Sequence, residues 1–410
     1  MSLIYERTPW SPEIPESMMR QPPPPRLSKA ASKEEGNAQI IGGRTLSPRM
    51  CSRRKRPITD IDSLSDELLM EVLARVPGKE LYEARLVCRE WYHLLHTRDF
   101  MRFYLQHAPY GLLFECTILG SYLMLSQGGV RVEITKLGYK RRLHIASSCN
   151  GLWLGNQLGD RDNLYVTNPT TGQVVLLPPL VNRVQSGFHA MGYVPASMEY
   201  KAVIFWPASE IEKRMHCYIL NVGVDKSWRK VEFESTTPLR MDRLMISEGF
   251  MHWTHPPTNQ VSTLNLETEI FTETPGPIPL GGAGNVNNIY LWTGRYLSLL
   301  RCYGDNSWDI WEMSRPERGE WRKKVDFSLA AHKGRFEQLG LRHDDLLIPV
   351  GWVKYLELLA LKSDDKEHWT FVFLCNLVTQ EFDKIELPLY MPLCSIMVHT
   401  SSLEWLDAAV

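Results

Sequence analysis

Two hydrophobic rhythms divide the chain. Between about residues 60 and 107 apolar residues return every three or four positions, as on one face of a helix. Leu68, Leu69, Val72 and Leu73 form the first such stripe and predict a helix. Ahead of it, Ser63-Leu64-Ser65-Asp66 offers a capping hydroxyl with an acidic residue three positions on. Asp66 and Glu67 suit the positive helix end. Val76-Pro77-Gly78 should stop this helix. A second is expected from about Lys79 to Leu95, carrying Leu81, Ala84, Leu86, Val87, Trp91, Leu94 and Leu95. A third, Asp99 to Gln106, carries Phe100, Phe103 and Tyr104. Three short helices hold more apolar side chains than they can bury among themselves. The surplus predicts either a partner or packing on the next domain, and the pattern leaves both open.

Beyond about Pro109 the rhythm shortens. Runs such as Leu112 to Cys116, Leu164 to Val166, Val174 to Leu177, Ala202 to Trp206, Cys217 to Leu220 and Phe371 to Leu374 are strand length. They are rich in β-branched and aromatic residues and are separated by Gly, Pro, Asn and Asp. Only Leu329 to Leu339 reads as a modest helix. The expected class is therefore a small all-α bundle followed by a large all-β domain.

A loose internal repeat runs through the β region. One unit is Cys149-Asn150-Gly151-Leu152-Trp153, Leu164 to Gly172 through Asn168-Pro169-Thr170-Thr171, then Leu176-Leu177-Pro178. A second runs from Ser247 to Trp253, then Leu264 to Glu269, then Phe271 and Pro275. A third runs Leu374 to Phe382 and on to Leu387-Pro388. Trp228-Arg229-Lys230 and Trp321-Arg322-Lys323 take similar late-strand places in the units between. A spacing of roughly 40 to 60 residues suits four-stranded propeller blades, and the region divides into about six.

Composition adds the tail. Residues 1–57 hold nine of the 26 prolines, including Pro22 to Pro25, so this segment is expected to be disordered. It carries 11 Lys/Arg against 5 Asp/Glu, whereas the whole chain has a formal net charge of −1. That near-neutral balance gives no reason to expect a nucleic-acid partner. The tail ends in Arg53-Arg54-Lys55-Arg56, a run that fits either a nuclear import signal or a solvated charge cluster. Eight scattered cysteines without a C-x-x-C pair suit a reducing compartment and argue against a disulfide framework or structural zinc. No uninterrupted apolar stretch reaches the ~18 residues of a membrane span. A basic-then-apolar leader is lacking as well. Residence in cytoplasm, nucleus or both is the expectation.

The helical stretch resembles the F-box. Ile61 to Leu69, then Val72-Leu73-Ala74-Arg75-Val76-Pro77, then Leu86-Val87-Cys88-Arg89-Glu90-Trp91 match that family's three blocks in order and spacing. The resemblance implies docking on a Skp-type adaptor, and through it on a cullin. It places Leu64, Leu68, Pro77, Val87, Cys88 and Trp91 on the adaptor face. Ser65 stands where the family has proline, a departure that implies a somewhat weaker interface.

The β region is similar to the plant F-box-associated domain. Ser148 to Leu152, Asn168 to Thr171, Gly192-Tyr193-Val194-Pro195 with Tyr200-Lys201, Gly249 to Trp253 and Trp308 to Met313 match its motifs in order. The implied organisation is a tail over 1–57, an F-box over 58–107 and a propeller-like domain over 108–410. The repeated Gly-Gly doublets of a kelch propeller are missing.

Several candidate sites read better as structure. His252 and His255 are three apart beside prolines without a third ligand nearby, so no metal is expected. Gly281-Gly282-Ala283-Gly284 lacks the Lys-Ser/Thr of a phosphate loop. Asp344-Asp345 and Asp364-Asp365 read as solvated turn charges, and most of the 11 tryptophans after residue 108 as packing between blades. Neither a serine elbow nor a reactive-cysteine signature occurs. No cofactor is expected. The expectation is a non-catalytic substrate receptor of a cullin–RING ubiquitin ligase, with an unknown target on the β domain. A stand-alone propeller binding module is the alternative, and a propeller hydrolase or sugar binder the third reading.

Overall fold

Ser65 opens the first helix. The computed structural model describes residues 64–404 except 109, 117–119, 128–130, 137–142, 158–159, 180–186, 208–213, 235–243, 256–258, 278–286, 293–295, 343–344, 364–367 and 393–394. Ser63, the tail over 1–57 with Arg53 to Arg56, Gly281 to Gly284, Asp344 and Asp364-Asp365 lie outside the described residues. Helix α1 (Asp66–Leu73) begins where the Ser65 hydroxyl accepts the Leu68 N–H at 3.5 Å. It ends before Pro77, which caps the start of α2 (Gly78–Ala84) instead.

The single helix expected from Lys79 to Leu95 is two, α2 and α3 (Arg89–Leu95). Cys88 breaks it with an extended backbone, φ −155°, and its sulfur accepts the Trp91 N–H at 3.5 Å. A straight helix over that span would run about 25 Å. The corner lets Leu81 and Leu95 share one core with Leu69, Leu73, Phe100 and Tyr104. Helix α4 (Arg98–His107), capped by the Thr97 hydroxyl on the Phe100 N–H at 3.1 Å, supplies the last two. Four helices thus replace the expected three.

The β region is a six-bladed propeller of four-stranded antiparallel sheets. It opens with β1 (Tyr110–Cys116), β2 (Gly120–Gln127) and β3 (Arg131–Lys136). The second blade is β4 (Leu143–Cys149), β5 (Leu152–Gln157), β6 (Asp160–Thr167) and β7 (Val174–Leu176). The third is β8 (Phe188–Val194), β9 (Glu199–Pro207), β10 (Arg214–Asn221) and β11 (Arg229–Glu234). The fourth is β12 (Leu244–Ser247), β13 (Phe250–His255), β14 (Gln260–Asn265) and β15 (Phe271–Pro275). The fifth is β16 (Asn287–Trp292), β17 (Leu297–Tyr303), β18 (Ser307–Arg315) and β19 (Glu320–Ser328). The sixth is β20 (Leu347–Lys354), β21 (Leu358–Ser363), β22 (His368–Asn376) and β23 (Phe382–Pro392). The expected helix near Leu329 is short, α5 (Lys333–Phe336) between two 3-10 turns.

The last strand, β24 (Ser395–Thr400), returns to the first blade and pairs with β1, Tyr110 opposite Thr400. The innermost strands β24, β4, β8, β12, β16 and β20 then meet in a ring. Pairing with β24 covers the edge of β1 and makes the first blade four-stranded from both ends of the described chain, which closes the ring.

The sequence repeat has a structural cause. Asn265 and Asn376 end the third strand of a blade, and Asn168 directly follows one. Each side-chain oxygen accepts two backbone N–H groups, two and three residues on, at 2.8 to 3.2 Å. Each turn then needs a positive φ four residues after the asparagine, met by Gly172 (76°), Glu269 (59°) and Gln380 (57°). The Trp-Arg-Lys strings sit at the start of outermost strands. Trp228 packs toward the second blade and Trp321 toward the fourth.

Candidate functional site

The helical module keeps a core and leaves an apolar surface. Leu64, Leu68 and Val72 follow one another at four-residue intervals, so they fall on one side of α1. Leu68 is 55% and Val72 48% exposed, while their neighbours Leu69 and Leu73 are buried. Leu86 (76%) and Val87 (64%) stand out from the corner between α2 and α3. Burying large apolar side chains is worth about 1.5–3 kcal/mol each, so this surface is costly to leave in water.

The six residues assigned to the adaptor face divide into two groups. Leu64, Leu68, Pro77 and Val87 are exposed. Cys88 and Trp91 are half-buried: the Cys88 sulfur caps α3, and Trp91 packs against the helical core. Val72, Leu86 and Tyr92 join the exposed apolar set without having been assigned to it. Val72 continues the four-residue spacing from Leu64 and was legible there. Leu86 stands at the corner between α2 and α3, where the sequence pattern predicts unbroken helix.

The module is tied to the propeller by the segment that follows β24. Leu403 is wholly buried among Leu69, Leu81, Leu95 and Phe100. The Tyr104 hydroxyl donates to the Ser401 carbonyl at 3.0 Å. A Cβ on Gly78 would lie 2.9 Å from the Ser401 Cβ, so only glycine permits this approach of α2. On the other side, the Ser402 hydroxyl donates to the Asn150 carbonyl at 2.6 Å. The Asn168 amide donates to the carbonyls of Ser402 (3.1 Å) and Glu404 (2.9 Å). Ser148 Oγ and Trp153 Nε1 lie 2.8 and 3.2 Å from His399 Nδ1. Much of the Ser-x-Asn-Gly-Leu and Asn-Pro-Thr-Thr motifs is therefore a socket for the closing segment.

Polar groups inside the propeller serve packing. Ser247 Oγ lies 2.7 Å from His252 Nε2, and Thr263 Oγ1 lies 2.9 Å from His252 Nδ1. The contact resembles a serine–histidine pair, but Ser247 and His252 are buried within their sheet, where no substrate reaches them. Burial pushes the His252 pKa down to about 3, which keeps the ring neutral. Both of its nitrogens are engaged. Among the described residues, no three His, Cys, Asp or Glu side chains are grouped to hold a metal. Lys201, of the Tyr-Lys motif, reaches from the third blade to Glu269 and the Leu266 carbonyl in the fourth, at 2.7 and 2.6 Å. A cleft of about 370 Å³ lies between the same two blades, among Val194, Pro195, Glu248, Phe250 and Glu267.

Comparison with known proteins agrees with this architecture. Residues 61–103 match the F-box domain, and residues 128–392 match the F-box associated beta propeller domain. The chain is 25% identical to F-box protein At5g49610 of Arabidopsis thaliana over 66% of its own length and 80% of that protein. Putative F-box protein At5g52610 of the same plant is 24% identical, with 63% and 76% covered. Putative F-box protein At3g52320, also from Arabidopsis thaliana, is 22% identical, with 72% and 80% covered. A four-helix module with an apolar face, a six-bladed propeller behind it and matches to both domain families lead to one conclusion: the chain is an F-box protein of the F-box-associated β-propeller family.

Proposed function

We propose that this protein is a substrate receptor of an SCF-type cullin–RING ubiquitin ligase. The observation that carries the reading is the exposed apolar set Leu64, Leu68, Val72, Leu86 and Val87 on a module whose core is otherwise satisfied. Charged or polar residues would normally occupy those positions on a free surface, and a Skp-type adaptor would bury them. The propeller then holds a target, and ubiquitin transfer occurs on other subunits. The receptor itself contributes proximity, raising the effective concentration of target lysines at the conjugating enzyme.

Strand direction suggests where the target sits. The helices attach where the innermost strands end, since α4 leads into Tyr110 beside Thr400. The innermost strands begin, and the antiparallel outermost strands β7, β11 and β15 end, at the opposite end. That end is free of the helical module and is the face we assign to the target. The run Arg53 to Arg56 fits a nuclear import signal or a solvated charge cluster.

The test is co-purification of the intact chain with a Skp-type adaptor beside Leu68→Asp and Val87→Asp variants. Both side chains are exposed, so the substitutions spare the core. Trp91→Ala is a poorer control, because Trp91 also packs against the helical core. Capture by the intact chain and its loss in both variants is the expected result. Failure of the intact chain to bind would turn the search to ligands of a stand-alone propeller.

A further inference from the structure

We propose that residues Ser401 to Leu403 are a strap that makes closure of the propeller a condition for a formed F-box. The three residues follow directly on β24, the innermost strand of the first blade, so they can be in place only when that strand has paired with β1. Leu403 then joins the helical core, whose other buried members come from all four helices. Ser401 receives the Tyr104 hydroxyl, and Gly78 admits its side chain. Ser402, wholly buried, is held from the second blade by the Asn168 amide and the Asn150 carbonyl. One short segment thus continues the innermost strand of the first blade and touches both the helices and the second blade.

The energetics give the strap its consequence. A helical core of under about 50 residues is marginal by itself, so one buried leucine is a large share of what holds it. In synthesis the helices come first and that leucine only after all six blades. An incomplete or unclosed chain therefore has an F-box lacking one wall, and its adaptor surface is poorly formed. Helix α4 ends at His107 and β1 starts at Tyr110, so there is no long linker to let the module settle elsewhere. The strap also fixes the angle between the adaptor face and the propeller. Where the adaptor is concerned, the inference rests on the function proposed above.

The experiment measures amide hydrogen exchange along the full-length chain for wild type, Leu403→Ala, Leu403→Asp and Leu403→Met, with adaptor affinity in parallel. In Leu403→Ala and Leu403→Asp, amides of α1 to α4 should exchange at least tenfold faster, while β9, β13 and β17 keep their wild-type rates. Leu403→Met, which refills the space, should stay within about threefold of wild type. Adaptor affinity should fall at least tenfold in Leu403→Asp. Helix exchange within twofold of wild type in both disruptive variants would overturn the proposal. So would helices and strands opening together in Leu403→Ala, since the segment would then be an ordinary part of the propeller. If wild type binds no adaptor but the helices still open selectively, the strap stands and the ligase reading falls.

Discussion

The Tyr104 hydroxyl donates to the Ser401 carbonyl at 3.0 Å, which joins the last F-box helix to the residue after the propeller's closing strand. Tyr104 is buried and Ser401 half-buried, so water replaces the bond only in part when it is lost. Tyr104→Phe keeps the ring among Phe100 and Leu403 and removes only the donor. It should cost about 1 kcal/mol, the usual net worth of such a bond. Denaturant unfolding of the full chain checks the value, and an unchanged midpoint would show that the contact contributes nothing.

Ser65→Pro tests the departure from the family pattern. Ser65 has φ −66°, the angle proline imposes, and its carbonyl still accepts the Leu69 N–H at 2.9 Å. What is lost is a capping contact of 3.5 Å, at the outer limit of a hydrogen bond. Adaptor affinity should therefore hold or rise. A fall of more than about threefold, read by titration calorimetry, would mean that Ser65 matters through its hydroxyl and that the alignment of the first block is wrong.

The parts legible in sequence were those with local causes. Asn168, Asn265 and Asn376 marked equivalent turns because each caps its own turn through neighbouring N–H groups. The strand runs were readable because each is bounded by turn residues. The corner at Cys88 was not, because nothing between Leu86 and Arg89 has a strong breaker; the bend is set by where Leu81 and Leu95 must go. The role of Ser401 to Leu403 was also hidden. Its partners Tyr104, Asn150 and Asn168 lie hundreds of residues away, and periodicity carries no information at that range. For the adaptor face, α1 showed its exposed side through four-residue spacing, while the exposure of Leu86 awaited the corner.

Gly172→Ala isolates a turn requirement. Gly172 has φ 76°, and an added Cβ there would meet nothing within 4 Å. Any loss of stability therefore reports the backbone alone, about 1 kcal/mol. The converse change, Gln380→Gly at φ 57°, should cost little or slightly stabilise. Thermal unfolding of the two variants should move in different directions or by clearly different amounts; equal losses would refute the turn argument.

Stability should fall with acid below about pH 6.5 through two buried histidines. Burial holds the pKa of both His252 and His399 down to about 3. In the unfolded chain each titrates near 6.5. Between those values the unfolded state binds more protons, so stability rises with pH and is lost as pH drops from about 6.5 toward 3. His252→Gln should lower stability at neutral pH, since Ser247 and Thr263 keep only part of their bonding. It should also flatten the pH slope by up to one proton. An unchanged slope from unfolding curves at pH 4.5 and 6 would show that His252 is not the titrating group.

Glu269 is the hinge of the tie between the third and fourth blades, and its two cationic partners should matter unequally. Lys201 is 7% exposed at the side chain and has its ammonium on Glu269 and the Leu266 carbonyl. Arg229, also paired with Glu269, is 42% exposed. Both cations hold the Glu269 carboxyl below the usual range, with the Arg229 hydrogen bond the largest cause. Removing Arg229 deletes a solvent-screened pair, worth under about 1 kcal/mol. Glu269→Gln instead leaves the Lys201 charge buried with one carbonyl and a weakened partner, a cost of about 2 kcal/mol or more. Glu269→Gln should therefore lower the urea midpoint at pH 7 clearly more than Arg229→Gln, and Lys201→Met should fall between them because it removes the buried charge itself. If Arg229→Gln proves the most damaging of the three, the tie is made at the surface, and Lys201 is a passenger in it.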